Sequence, residues 1–106
     1  MRKLKFKSEL WLYPGPLYPG PVAWHFISVP KKESAELAAS AGPRRGWGAI
    51  KVKASIGKTS WETSIFPDKK SGTYLLPVKA EVRKKENLKA GQIVELSLEN
   101  FLINNP

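Results

Sequence analysis

One histidine, His25, one aspartate, Asp68, and no cysteine limit what this 106-residue chain can do chemically. A Ser-His-Asp triad would have to use both single copies, and no Gly-x-Ser-x-Gly turn exists to display a nucleophile. A zinc centre built from several His or Cys ligands is excluded by the same count. No Gly-x-x-x-x-Gly-Lys-Ser/Thr loop is present, so a P-loop is ruled out. The eight glutamates leave paired-carboxylate chemistry open. Half of them, Glu33, Glu36, Glu81 and Glu86, fall in helix-forming stretches beside lysines and arginines, where pairing four residues apart accounts for them. Acid, base and nucleophile are all scarce, and the chain reads as a non-enzyme without metal or cofactor.

Binding chemistry is better supplied. Arg44-Arg45-Gly46-Trp47-Gly48 combines two guanidinium groups, which grip phosphate or carboxylate in bidentate fashion, with glycines that let backbone N–H groups approach an anion. Its indole could stack on a base or sugar. The same residues also read as a loop whose Trp47 plugs a barrel end. Lys69 and Lys70 lie in a turn-forming run, Pro67 to Gly72, and form either a second basic loop or a solvated hairpin. Arg83, with Lys79 and Lys84, falls on one side of a short basic helix. Trp24, Trp47 and Trp61 are either core and end caps or the lining of a hydrophobic ligand pocket with arginines at its rim. His25, between Trp24 and Phe26, faces the side of Ile27 and Val29; its reading is structural, with proton sensing or an anion contact as the functional alternative.

Net charge is +9, and it is unevenly placed. Residues 1–60 hold 11 Lys or Arg against 3 Glu, whereas residues 61–106 hold 7 against 6. A basic half beside a near-neutral half fits a surface that meets polyanions; solubility alone is the plainer explanation. Apolar residues make up 42%, too many for disorder, and the length is that of one domain over residues 1–106. The start lacks a signal-peptide apolar run, and no window approaches the roughly 18 apolar residues of a spanning helix. A cytoplasmic protein with no membrane association is expected, monomeric or homodimeric.

The elements that must carry these side chains follow from periodicity. Lys3 to Tyr13 alternates, with Leu4, Phe6, Leu10 and Leu12 on one face and lysines on the other. A tandem repeat follows, Tyr13-Pro14-Gly15-Pro16-Leu17 and Tyr18-Pro19-Gly20-Pro21-Val22, whose prolines and glycines require a loop. Strands are expected over Trp24–Val29, Ala49–Ile56, Trp61–Phe66, Tyr74–Leu76 and Ile93–Glu99, with helices over Lys32–Ala41 and Val78–Glu86. The unit strand, proline, basic helix, strand occurs twice, once through Val29-Pro30-Lys31-Lys32 and once through Leu76-Pro77-Val78-Lys79. Two such copies predict a mostly β fold: a small closed or double-split barrel of six to seven strands with two short helices.

The second copy, from Leu76-Pro77-Val78-Lys79 to Leu88-Lys89-Ala90-Gly91-Gln92-Ile93-Val94, resembles the AbrB/MazE type of swapped-hairpin half-barrel, in which two chains intertwine and many members bind DNA. A resemblance that spans nearly the whole chain is to an uncharacterised prokaryotic family of small β-barrels of unknown function, some fused upstream of domains labelled bacteriocin-protection or OmpD-associated. It is carried by Trp24-His25-Phe26-Ile27-Ser28-Val29-Pro30, Gly46-Trp47-Gly48, Ser64-Ile65-Phe66-Pro67 and Tyr74 to Lys84. It implies a barrel complete within one chain and supplies no activity. The doubled Tyr-Pro-Gly-Pro loop departs from that pattern. The function expected is binding of an anionic partner, nucleic acid or a phosphorylated ligand; a small-ligand barrel with a Trp-lined pocket is the alternative, and a glutamate-dependent enzyme a further one.

Overall fold

The computed structural model describes residues 3–13, 24–40 and 48–100. The tandem Tyr-Pro-Gly-Pro segment after Tyr13 and the Arg44, Arg45 and Trp47 loop lie outside the described residues. Among the described residues there are six strands and two helices: β1 (Lys3–Leu12), β2 (His25–Val29), α1 (Lys31–Ser40), β3 (Ile50–Ile56), β4 (Thr59–Asp68), β5 (Thr73–Pro77), α2 (Ala80–Lys85) and β6 (Ile93–Asn100). The strands close into an antiparallel barrel in the order β1-β2-β5-β4-β3-β6.

Closure depends on two ten-residue strands. β1 pairs with β6 through Lys3 to Glu9, then with β2 through Leu10 to Leu12. β4 does the same, pairing with β3 up to Ile65 and with β5 from Phe66 to Asp68. Each long strand therefore belongs to both sheets and leaves no free edge between them. Turn chemistry predicts that β4 stops at Phe66, but it continues through Pro67 and Asp68. Pro67 is tolerated because β4 has already parted from β3 there, so its missing N–H breaks no second ladder.

Exchanging β1 with β4, β2 with β5 and β3 with β6 leaves the ring of neighbours unchanged. When Val29-Pro30 is set against Leu76-Pro77, the pairing registers place Ile50, Val52, Ala54 and Ile56 at the positions of Val94, Leu96, Leu98 and Asn100. Inner face falls on inner face throughout. The repeat unit is thus β-β-α-β, one strand longer than the sequence pattern indicates, and its two copies are related by a pseudo-twofold.

The core follows the period-2 alternation. Leu10, Ile27, Val29, Val52, Ala54, Ile65, Leu76 and Leu98 are fully buried inside the barrel, and Leu4, Trp61 and Tyr74 pack against them from its margins. Each large aliphatic side chain buried in this way contributes about 1.5–3 kcal/mol. Leu37 of α1 and Val82 of α2 are buried with this cluster. The two helices cover opposite ends of the barrel, because α1 follows the last residue of β2 and α2 the last residue of its antiparallel neighbour β5. Among the described residues, no helix is long and apolar enough to cross a membrane.

The outer face over β1, β6, β3 and β4 carries the exposed strand lysines. They are not massed there. Lys3 faces Glu99, Glu99 faces Lys53, and Lys53 faces Glu62, so the row alternates in sign. Lys7 faces Glu95 in the same way. Opposite charges directly across a sheet are worth about 0.2–1 kcal/mol each. The outer face over β2 is aromatic instead: the Trp24 ring stacks on Phe26 at 6.2 Å, and the tilted Trp11 ring lies 5.5 Å from Phe26. The Trp11 indole N–H is satisfied by Ser28 Oγ at 3.0 Å.

Candidate cleft at the α2 end

The chain between β5 and α2 builds the most chemically distinctive site. Residues Val78 to Glu86 have the composition of one continuous helix, but Val78 lies outside the helix and is buried, and Lys79 is extended. The Val78 N–H donates to His25 O at 3.0 Å, which prolongs the β2–β5 ladder by one bond and delays the helix to Ala80. Proline at 77 favours this outcome, since it ends the strand without donating and presets φ for the turn that follows. The Val78 carbonyl then accepts the Arg83 Nε–H at 3.1 Å. His25, Val78 and Arg83 are thereby joined in one hydrogen-bonded series running from β2 to α2.

Around that series lies a cleft of about 360 Å3, lined by Trp24, His25, Thr63, Pro77, Val78, Lys79, Ala80 and Arg83. Three of the residues singled out from sequence, Trp24, His25 and Arg83, come together here from two distant segments. Trp24 is fixed from two sides, by its stacking on Phe26 and by its carbonyl, which accepts the Tyr13 N–H at 2.8 Å. His25 is half-buried, with Nδ1 shielded from solvent. Arg83 is half-buried, and four of its five N–H donors remain on the two terminal nitrogens once Nε is committed to Val78. Lys79 pairs with Glu81 at 3.7 Å, but with side chains 56% and 62% exposed that contact is weak and leaves the ammonium free to move.

The cleft is therefore apolar on its walls and cationic at its rim. No carboxylate lines it among the described residues, so it has no general base of the Asp or Glu type. It is suited to holding an anion beside a flat apolar group.

The other sequence candidates lie elsewhere. Trp61 sits opposite Ala54 and packs against the core, as a structural tryptophan does. Lys69 and Lys70 occupy the β4–β5 turn at the α1 end, on the rim opposite the cleft. That turn satisfies itself: Asp68 accepts the Lys70 N–H at 3.3 Å and the Ser71 hydroxyl at 2.9 Å, while Gly72 takes a positive φ of 72°. Lys84 is exposed and does not line the cleft. Lys79, counted in the sequence with the basic helix, precedes it and faces the cleft. Thr63, Pro77, Val78 and Ala80 contribute lining that no sequence signal marks, because their role depends on where β4 passes the end of β5.

Glu86 links two elements of the fold. Its carboxylate accepts the Thr59 hydroxyl at 2.6 Å and lies against Gly57, tying the end of α2 to the β3–β4 hairpin. Elsewhere in α2, Lys85 pairs with Glu81 at 3.5 Å, one helical turn away and exposed.

Comparison with known proteins adds the family and little else. No curated protein is significantly similar to the chain. Residues 6–98, covering β2 to β5 entirely and most of β1 and β6, match the model of a family described as a domain of unknown function, DUF1905. A closed six-stranded barrel of two β-β-α-β copies, with an apolar, cation-rimmed cleft at the α2 end, is thus the form taken here by a chain that belongs to the DUF1905 family.

Proposed function

We propose that the protein is a non-catalytic binding module that takes a small anionic ligand in the cleft at the α2 end of the barrel. The observation that carries this reading is the convergence of Trp24, His25, Lys79 and Arg83 on one cleft of about 360 Å3. That volume falls in the range typical of small-molecule sites, about 300–1,000 Å3. Arg83 is held by the Val78 carbonyl, so part of the entropic cost of ordering a guanidinium is met before a ligand arrives.

This reading moves the emphasis from nucleic acid to a small molecule. A long polyanion needs a continuous basic track, and the strand lysines alternate with Glu99, Glu62 and Glu95 instead of forming one. The test is titration of the 15N-labelled protein with phosphate-bearing small molecules and, separately, with a mixed-sequence single-stranded oligonucleotide. Shifts confined to Trp24, His25, Val78 and Arg83 that are lost in Lys79→Ala/Arg83→Met support the reading. Oligonucleotide shifts spread over β1 and β3, untouched by that variant, would replace it with a surface that meets nucleic acid.

A further inference from the structure

We infer that the ligand of this cleft is a planar aromatic ring bearing a single carboxylate or phosphate group, gripped end-on by Arg83. The inference rests on the binding reading above and specifies its chemistry. Two observations set the ligand's two parts.

The first concerns the arginine. A guanidinium can meet an oxyanion side-on, through Nε and one terminal nitrogen, or end-on, through both terminal nitrogens. In Arg83 the side-on fork is already used, because Nε donates to the Val78 carbonyl at 3.1 Å. Only the end-on fork remains, and it fits the two oxygens of one carboxylate or one phosphate. Lys79, outside the helix and largely exposed, adds a movable second charge at the rim. One fixed fork and one movable ammonium suit one anionic group, not a chain of them.

The second concerns the walls. Trp24 is stacked on Phe26 with the rings 14° from parallel, so its indole is held as a plate at the cleft margin. Pro77 supplies a second flat apolar surface, and Val78 and Ala80 complete an apolar lining. Such a slot favours a flat ring over a flexible chain or a fully hydrated ion, since stacking on an indole is worth more for a π-face. Inorganic phosphate alone would leave those walls uncovered.

Aromatic carboxylates and nucleoside monophosphates share this chemistry, and the experiment separates them. The full chain, 15N-labelled, is titrated with 1-naphthoate, 1-naphthalenemethanol, adenosine 5′-monophosphate and inorganic phosphate, following the Trp24 indole and Arg83 Nε signals. Naphthoate or the monophosphate is expected to shift both signals, with naphthalenemethanol and inorganic phosphate each at least about tenfold weaker. Whichever of the two aromatic anions binds more tightly identifies the source. Arg83→Lys, which keeps the charge and loses the fork, is expected to weaken the preferred anion about tenfold while leaving naphthalenemethanol unchanged. If naphthalenemethanol binds as well as naphthoate, both this inference and the anionic reading fail. If inorganic phosphate matches the aromatic anions, the ring requirement fails and the anionic reading stands. If Arg83→Lys binds as the parent does, the end-on grip is wrong.

Discussion

The two ends of this barrel are built from equivalent strands, yet their helices are anchored differently, and the α2 end holds a cleft. At the α1 end, a ten-residue helix is stitched down by Ser34, whose hydroxyl donates to Val29 O at 3.0 Å and accepts the Tyr74 N–H at 3.1 Å. Ser34 and Leu37 are both buried there. At the α2 end, the helix is six residues long and only Val82 of it is buried. Its polar anchor is Arg83, which bonds a carbonyl through one nitrogen and keeps the others available. Pseudo-symmetry sharpens the contrast: the positions of Trp24 and His25 on one rim correspond to Ser71 and Gly72 on the other. One backbone position thus carries a tight turn at one end and an aromatic-histidine pair at the other. In a near-symmetric fold, candidate function lies where the copies differ.

The comparison can be tested by truncating each end's buried anchor. Leu37→Ala is expected to cost about 3 kcal/mol of stability and Val82→Ala about 2 kcal/mol, read from urea unfolding, because both leave cavities but Leu37 fills more volume. An α2 end that costs more than the α1 end would reverse the assignment of which helix is the more firmly anchored.

The polar anchors come next. Ser34→Ala leaves the Tyr74 N–H and one bond of the Val29 carbonyl unmet, at about 2 kcal/mol. Gly57→Ala, at the α2 end, is expected to cost a similar amount for another reason. Gly57 sits at φ 58°, and an added Cβ would collide with the Glu86 carboxylate. Removing that carboxylate in Gly57→Ala/Glu86→Ala should recover part of the loss in thermal unfolding; no recovery would mean that backbone strain alone sets the cost.

The smallest expected effect is the most discriminating. Lys79→Ala should change stability by less than about 0.5 kcal/mol, since its ion pair with Glu81 is exposed. Anion binding at the cleft should nevertheless weaken. A stability loss above that size would make Lys79 part of the scaffold.

Much of the fold was legible in the chain itself. Alternation placed the inner faces of Lys3 to Leu10 and Ile50 to Ile56, but Leu12, expected on the inner face, is exposed where β1 ends beside His25. The repeated strand-proline-helix pattern announced a two-copy barrel. What the pattern could not show was that β1 and β4, each recognisable as a strand, open the two copies. β1 and β4 share no motif, and only the pairing register places Leu4 and Trp61 at corresponding positions. The extent of α2 was also misjudged, because helix-forming composition at Val78 and Lys79 yields to the bond that Val78 makes with His25, more than fifty residues earlier.

The site divides along the same line. Composition by itself limited the chemistry: one histidine, one aspartate, no cysteine and a surplus of cations. It also named Trp24, His25 and Arg83 as residues able to bind. That these three face one cleft, while Trp61 packs with the core and Lys69 and Lys70 ride a turn at the far rim, was decided by tertiary structure. The physical reason is that local pattern reports which face of its own element a side chain takes. Which distant elements share a rim is fixed by strand order and register, here by β2 pairing with β5 so that α2 begins beside His25.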